Sequence, residues 1–293
     1  MSQDDEQLQW RIALLTDLLR SAKPDTFRAA PCLGYIKVPN TDNASRYGIV
    51  FEEPLIRGME PKVATLQELL ERAPHPSLSA RIALCVVLAR CIHSFHALNW
   101  LHKALRPENI LFFSSTESAN VSEPFLAGFE LSRPSIMEQW SEKPGFDPSK
   151  DIYRHPNAQS SQVIVKYRKS CDIYSLGVLM IEVALWKRFK DVVRLEDFAE
   201  TKPSTLREIQ PWLLRLPLYT GFSVIPTEAG NCLQQVSSAC GDSFRNIIER
   251  CLRMDATEKP EYSEEQEAAI ALRVQRVTEE DIVKELERIA NSV

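Results

Sequence analysis

His102-Lys103-Ala104-Leu105-Arg106-Pro107-Glu108-Asn109-Ile110-Leu111 opens as a polar stretch between two strongly apolar ones. Upstream, Ile82, Cys85, Val86, Ala89, Ile92 and Phe95 recur at helical spacing, so a long helix with a buried side is expected from Ser79. Downstream, Ile110 to Phe113 and Pro124 to Ala127 read as two short strands. Further on, Asp172 to Trp186 is so apolar that a helix there must be buried on most sides.

Working outward, Leu8 to Leu19 carries helical spacing, and Lys23-Pro24 is expected to end that helix. Cys32 to Val38 and Tyr47 to Phe51 read as an antiparallel hairpin joined through Pro39-Asn40-Thr41-Asp42-Asn43. Val63 to Ala73 reads as a short amphipathic helix. Arg133 to Lys169 is long, polar and punctuated by proline, which predicts a surface segment of the kind that carries recognition. More helices are expected at Leu195 to Glu200, Pro211 to Leu214, Asn231 to Ala239, Phe244 to Leu252, Ser263 to Val274 and Glu279 to Ala290. The fold class is therefore α+β. A helix and a small β unit occupy residues 1–54, and a larger, mostly helical body follows over residues 55–293, the boundary falling at Glu52-Glu53-Pro54.

Composition limits the functions available. The net charge of −5 offers no general attraction to nucleic acid or an anionic membrane. The tightest basic cluster, Lys166, Arg168 and Lys169, reads as a solvated loop. Seven scattered cysteines without a C-x-x-C pair suggest neither a zinc site nor a disulfide framework, and a reduced, cytoplasmic setting fits them. No run of 18 apolar residues is present, so no membrane span is expected.

Four segments, in order, resemble the protein-kinase family. His102 to Leu111 resembles the catalytic loop H-R-D-L-x-x-x-N, with Asn109 in register. Gly128-Phe129-Glu130-Leu131-Ser132 occupies the place of D-F-G. Tyr153-Arg154-His155-Pro156-Asn157 stands where the segment ending in A-P-E would be. Cys171-Asp172-Ile173-Tyr174-Ser175-Leu176-Gly177-Val178 resembles the start of the buried central helix of the large lobe, and the Leu8 helix corresponds to the single helix of the small lobe. The resemblance runs over roughly residues 8–290 and is similar in flavour to fungal kinase-like domains that accompany cell-death or prion-forming modules. It implies a protein-kinase-like fold with a reduced N-terminal lobe and a mostly helical C-terminal lobe.

The same resemblance implies that the chemistry is lost. Phosphoryl transfer needs a phosphate cradle, a lysine, metal ligands and a carboxylate for the hydroxyl proton. Ala104 stands at the position of the base and Gly128 at that of the metal-binding aspartate, which leaves Asn109 alone as a ligand for Mg²⁺. No G-x-G occurs, and Lys37, in a strand-like run after the first helix, reads as an exposed strand lysine. His102 is expected to be a hydrogen-bonded core histidine and Asn109 a loop brace. Asp172 is expected either to cap its helix or, by resemblance, to bind the backbone around His102. His75, His93, His96 and His155 show no metal-ligand pattern. Asn157 and Lys259-Pro260 stand where the family has a buried glutamate–arginine pair, so that ion pair is expected to be absent or reduced to a hydrogen bond. The implied function is a catalytically inactive pseudokinase that regulates or scaffolds through protein partners, without cofactor, metal, nucleic acid or membrane. The alternative is an unorthodox ATP-dependent phosphotransferase using Glu130, whose plainer role is a solvent-facing loop glutamate. A third reading places the function in an upstream module.

Overall fold

The computed structural model describes residues 3–21, 27–38, 46–54, 61–72, 75–114, 120–137, 145–159, 166–195, 197–258 and 264–293. The fold is α+β, with small sheets and a majority of helix. Helix α1 (Gln3–Ser21) packs on the hairpin of β1 (Cys32–Val38) and β2 (Arg46–Phe51), whose antiparallel register runs from Cys32 opposite Phe51 to Val38 opposite Arg46. The predicted helix stop at Lys23-Pro24 and the hairpin connection Pro39 to Asn43 lie outside the described residues.

The helix predicted from Val63 to Ala73 is corrected. Lys62–Thr65 is strand β3, and only Leu66–Leu70 is helical, as α2. The switch is local. The Thr65 side chain accepts from the Glu68 backbone N–H while the Glu68 carboxylate accepts from Thr65 N–H, a reciprocal cap that starts the helix there. Ser77, whose side chain accepts from Ala80 N–H, caps α3 (Leu78–Ala97). β4 (Trp100–Leu101) follows, and β5 (Ile110–Ser114) pairs with β3 on one side and β6 (Phe125–Leu126) on the other. β7 (Arg133–Pro134) pairs with β4.

Helix α5 (Lys169–Leu185), preceded by the short α4 (Pro148–Asp151), is the axis of the body. All but one of its residues are buried, as its predominantly apolar sequence demands. The helices α6 (Phe189–Val193), α7 (Pro203–Arg207), α8 (Ile209–Leu214), α9 (Cys232–Cys240) and α10 (Asp242–Leu252) follow, and then α11 (Glu264–Thr278), which continues through a π turn into α12 (Lys284–Ala290). The helix predicted at Leu195 to Glu200 is reduced to one 3₁₀ turn, Phe198–Glu200. α3, α9 and α10 all pack on α5. One apolar cluster runs from Leu15, Leu19 and Phe27 through Phe95 and Phe129 to Ile248 and Leu286, so the N-terminal unit and the body share a core.

By length and composition α3 could cross a membrane, with mean hydropathy 1.6, but half of the stretch concerned is buried inside the protein. Packing against α5 and α12 accounts for its apolar character. The expectation that Arg133 to Lys169 is a surface segment holds only in part among its described residues: Ile136, Phe146 and Lys150 are exposed, but others are not. Arg133, Ile152, Tyr153, His155 and Tyr167 are buried. Residues 138–144 and 160–165 of that segment lie outside the described residues.

Candidate functional site

The fourth quoted segment is the start of α5, the His102 and Tyr153 segments bond to that helix, and the Gly128 segment is tied to it through His102. Asp172, fully buried, lies within the first turns of that helix and is not its cap. Its Oδ2 accepts from His96 Nε2 at 2.9 Å and from His102 N–H at 2.8 Å. Its Oδ1 accepts from Lys103 N–H at 2.8 Å and from the Tyr167 hydroxyl at 2.7 Å. Four donors thus match the four lone-pair directions of a carboxylate. Burial alone would raise its pKa. The bond from His96, the nearby His102 and the bond from Tyr167 outweigh it and hold the carboxylate below its ordinary value. Asp172 therefore binds the backbone around His102, the second of the two roles that the sequence offers.

That backbone needs holding. Lys103 sits at φ 68°, in the left-handed region that side chains avoid, and its ammonium lies 5.5 Å from the centre of the Tyr167 ring. His102 is fully buried. Its Nε2–H donates to Ala127 O at 3.0 Å, and its Nδ1 accepts from Ala104 N–H at 3.3 Å. Burial, opposed by the charges of Asp172 and Glu130, lowers its pKa, so the ring is neutral and ties the two segments together. Ser132 Oγ adds a bond to His102 O at 3.1 Å.

Asn109 and Gly128 meet face to face. Asn109 Nδ2 donates to Ala104 O at 2.7 Å, and the Asn109 backbone carbonyl accepts from Ala127 N–H at 2.8 Å. Gly128 lies at φ +78°, and a Cβ built on it would stand 2.0 Å from Asn109 Nδ2 and 2.2 Å from Cγ. The Asn109 amide fills the space that any side chain at residue 128 would need, and a carboxylate there does not fit. Ala104 is buried beside it. Phe129 turns inward, its ring centre 5.2 Å from that of His102, 5.9 Å from Phe95 and 6.3 Å from Phe51. Glu130 is exposed and faces Arg106 at 3.6 Å, while its backbone carbonyl accepts from Arg11 of α1 at 3.2 Å.

The Tyr153 to Asn157 segment docks farther along α5. Tyr153 O accepts from Ser175 Oγ at 2.8 Å, and the Tyr153 hydroxyl donates to Glu182 Oε1 at 2.8 Å. Glu182 also accepts from Phe189 N–H at 2.6 Å, and burial pushes its pKa up to about 8. Asn157 is exposed, its backbone N–H on His155 Nδ1 at 3.2 Å. His155 Nε2 faces Asp255 at 3.5 Å, and the position Lys259-Pro260 lies outside the described residues.

Sequence reasoning missed two residues of this centre, His96 and Tyr167, which both bond Asp172. His96 is 76 positions away from it and carries no signal besides its place on an apolar helix face. The reading of Lys166, Arg168 and Lys169 as a solvated loop is corrected. Lys169 is buried in the first turn of α5, and Lys166 and Arg168 both face Glu267. Lys37 is exposed, as expected, and faces Asp5 at 3.6 Å. Among the described residues no group of three or more His, Cys, Asp or Glu is placed to hold a metal ion. All seven cysteines are free thiols, and burial pushes Cys91, Cys171, Cys232 and Cys251 up to about 12.

A family model, described as a domain of unknown function (DUF7580), matches residues 51–293, more than four-fifths of the chain. The chain belongs to the DUF7580 family. The match takes in the His102 and Gly128 segments and the whole of α5, and it starts at the last residue of β2. No match was found among curated proteins.

Proposed function

We propose that the chain is a catalytically inactive protein-kinase-like domain that regulates or scaffolds through contacts with other proteins. The closed pair of Asn109 and Gly128 carries this reading. Where the resemblance would put a metal-binding carboxylate, a left-handed glycine is sealed by an amide, so Mg²⁺ has no carboxylate ligand and the phosphates no counter-charge. The joining of the other three segments to α5, two directly and one through His102, supports the kinase-like reading. The groups at the centre, Asp172, His102 and Asn109, are used up on backbone, which is architectural work and not catalysis. A cytoplasmic setting accords with seven free cysteines. The phosphotransferase alternative would rest on Glu130, which is turned to solvent and Arg106.

The test is thermal melting of the full chain with ATP, with and without Mg²⁺. A ligand at 100 times its Kd stabilises by about 2.7 kcal/mol, a shift that is easily read. No shift is expected. A Mg²⁺-dependent rise in melting temperature, or phosphate transfer to any protein substrate, would overturn the proposal.

A further inference from the structure

A cleft of about 670 Å³ opens between the C-terminal end of α3, the chain at Ser135 and Ile136, the entry into α5 and one face of α11. It lies apart from the Asn109–Gly128 centre, and none of the centre's residues except Tyr167 lines it. One wall is apolar: Ile136 and Leu272 are 78% and 71% exposed, with Ala268 and Ala271 beside them. Side chains of that kind rarely stand in water around a concavity without a use.

The other wall is cationic. Lys169 is buried, with 5% of its surface exposed. An ammonium has three N–H groups, and Lys169 spends one of them on the neutral amide oxygen of Asn99, at 3.1 Å. Burial lowers its pKa, opposed by the charge of Glu258, but that carboxylate already accepts from Ser170 Oγ at 2.6 Å. Lys166 and Arg168 share Glu267 at 2.7 and 3.5 Å. Among the described residues of the lining, three cations stand beside two engaged carboxylates, in a chain whose net charge is −5, and Lys169 is the most buried of the three. A buried charge is costly unless it is paired, and the volume is that of a pocket for a whole small ligand.

We propose that this cleft binds a small amphipathic carboxylate, its head on Lys169 Nζ and its apolar body along Ile136, Ala268, Ala271 and Leu272. The inference is independent of the inactive-kinase reading. It would hold for an active enzyme as well.

Isothermal titration of the full chain with decanoate, below its micellar concentration, tests it against decan-1-ol, which has the same tail and no charge. Decanoate is expected to bind one-to-one and about tenfold or more tighter than the alcohol, the size of one charge-assisted hydrogen bond. Lys169→Met should bring decanoate down to the level of the alcohol. Leu272→Glu, at an exposed position where the fold is indifferent, should weaken decanoate by a similar factor while leaving the melting temperature unchanged. Equal binding of acid and alcohol, no saturable binding of decanoate, or undiminished binding by the folded Leu272→Glu variant would each overturn the proposal.

Discussion

Adding one methyl group at residue 128 should be among the costliest small changes this protein can suffer. Gly128→Ala places a Cβ at φ +78°, which costs about 1–2 kcal/mol in backbone strain for a residue with a side chain. The same atom would lie 2.0 and 2.2 Å from Asn109 Nδ2 and Cγ, so the Asn109 side chain must leave. Its departure strips Ala104 O of the 2.7 Å bond and leaves a buried carbonyl unsatisfied, about 1–3 kcal/mol more. The total is on the order of 2–5 kcal/mol, against a whole-domain stability of about 5–15 kcal/mol. Gly221 supplies the control. Its φ is also +78°, but nothing lies within 4 Å of a Cβ there, so Gly221→Ala should cost the strain alone. Urea unfolding, followed by tryptophan fluorescence with the slope checked for constancy, reads both. In an Asn109→Ala background, where the obstructing atoms are gone, Gly128→Ala should fall to the level of Gly221→Ala. If the two glycine variants are equally destabilised in the parent background, the amide does not seal residue 128, and the principal support for an inactive centre is lost.

Restoring the expected carboxylates by Ala104→Asp with Gly128→Asp should yield no phosphate transfer and a less stable protein than the parent. Transfer by a folded double variant, in a radiolabelled-ATP assay, would show that the centre can open. Asp172→Asn keeps one acceptor oxygen and turns an NH₂ on the remaining donors, so it should cost about 3–5 kcal/mol in the same unfolding assay. Because the folded pKa of Asp172 lies below its ordinary value, its contribution is present above the unfolded pKa and is lost as pH falls through the folded one. Parent and variant should therefore converge in stability under acid conditions, and a constant gap would refute this. Glu182 has the opposite sign. Its pKa rises from 4.5 to about 8, so its contribution is full below pH 4.5 and erodes as pH climbs to about 8, by a few kcal/mol in order of magnitude. Glu182→Gln keeps an acceptor for Phe189 N–H and Tyr153 and should flatten that decline. Identical slopes in the two proteins would place the titration on another group.

Much of the helical body is legible in the sequence because a buried helix writes itself plainly. Asp172 to Trp186 is apolar on most sides, and the observed helix, Lys169–Leu185, differs from that reading by a few residues. The hairpin is legible for a similar reason, through two runs of strand length around a turn-rich connection. The two-residue strands Trp100–Leu101 and Arg133–Pro134 have no pattern long enough to read; the first runs into His102 and Lys103, which are pinned to Asp172, and the second follows Ser132, which bonds His102 O. At Val63 the period misleads. The apolar spacing runs straight through Thr65, and only the Thr65–Glu68 capping pair marks the change from strand to helix. At the centre, the sequence shows what residues 104 and 128 have lost but not how the space is filled. The backbone angle of Gly128 and the position of the Asn109 amide arise from packing between segments 19 residues apart. The buried state of Lys169 and Tyr167 was hidden in the same way, in a stretch whose polarity looks like solvent exposure.

The family match begins at residue 51, yet Leu15, Leu19, Phe27 and Cys32 lie in the same core as the matched body. The Phe27 ring stands edge-on to Phe95, 5.5 Å between centres, and Arg28 O accepts from Leu126 N–H at 2.6 Å. A polypeptide cut at the edge of the match would bare Phe95 to water and leave an edge of β6 without its bond to residue 28. Such a fragment would be sticky, and its aggregation would be mistaken for a property of the domain. The core of this chain reaches beyond the stretch that the family match covers.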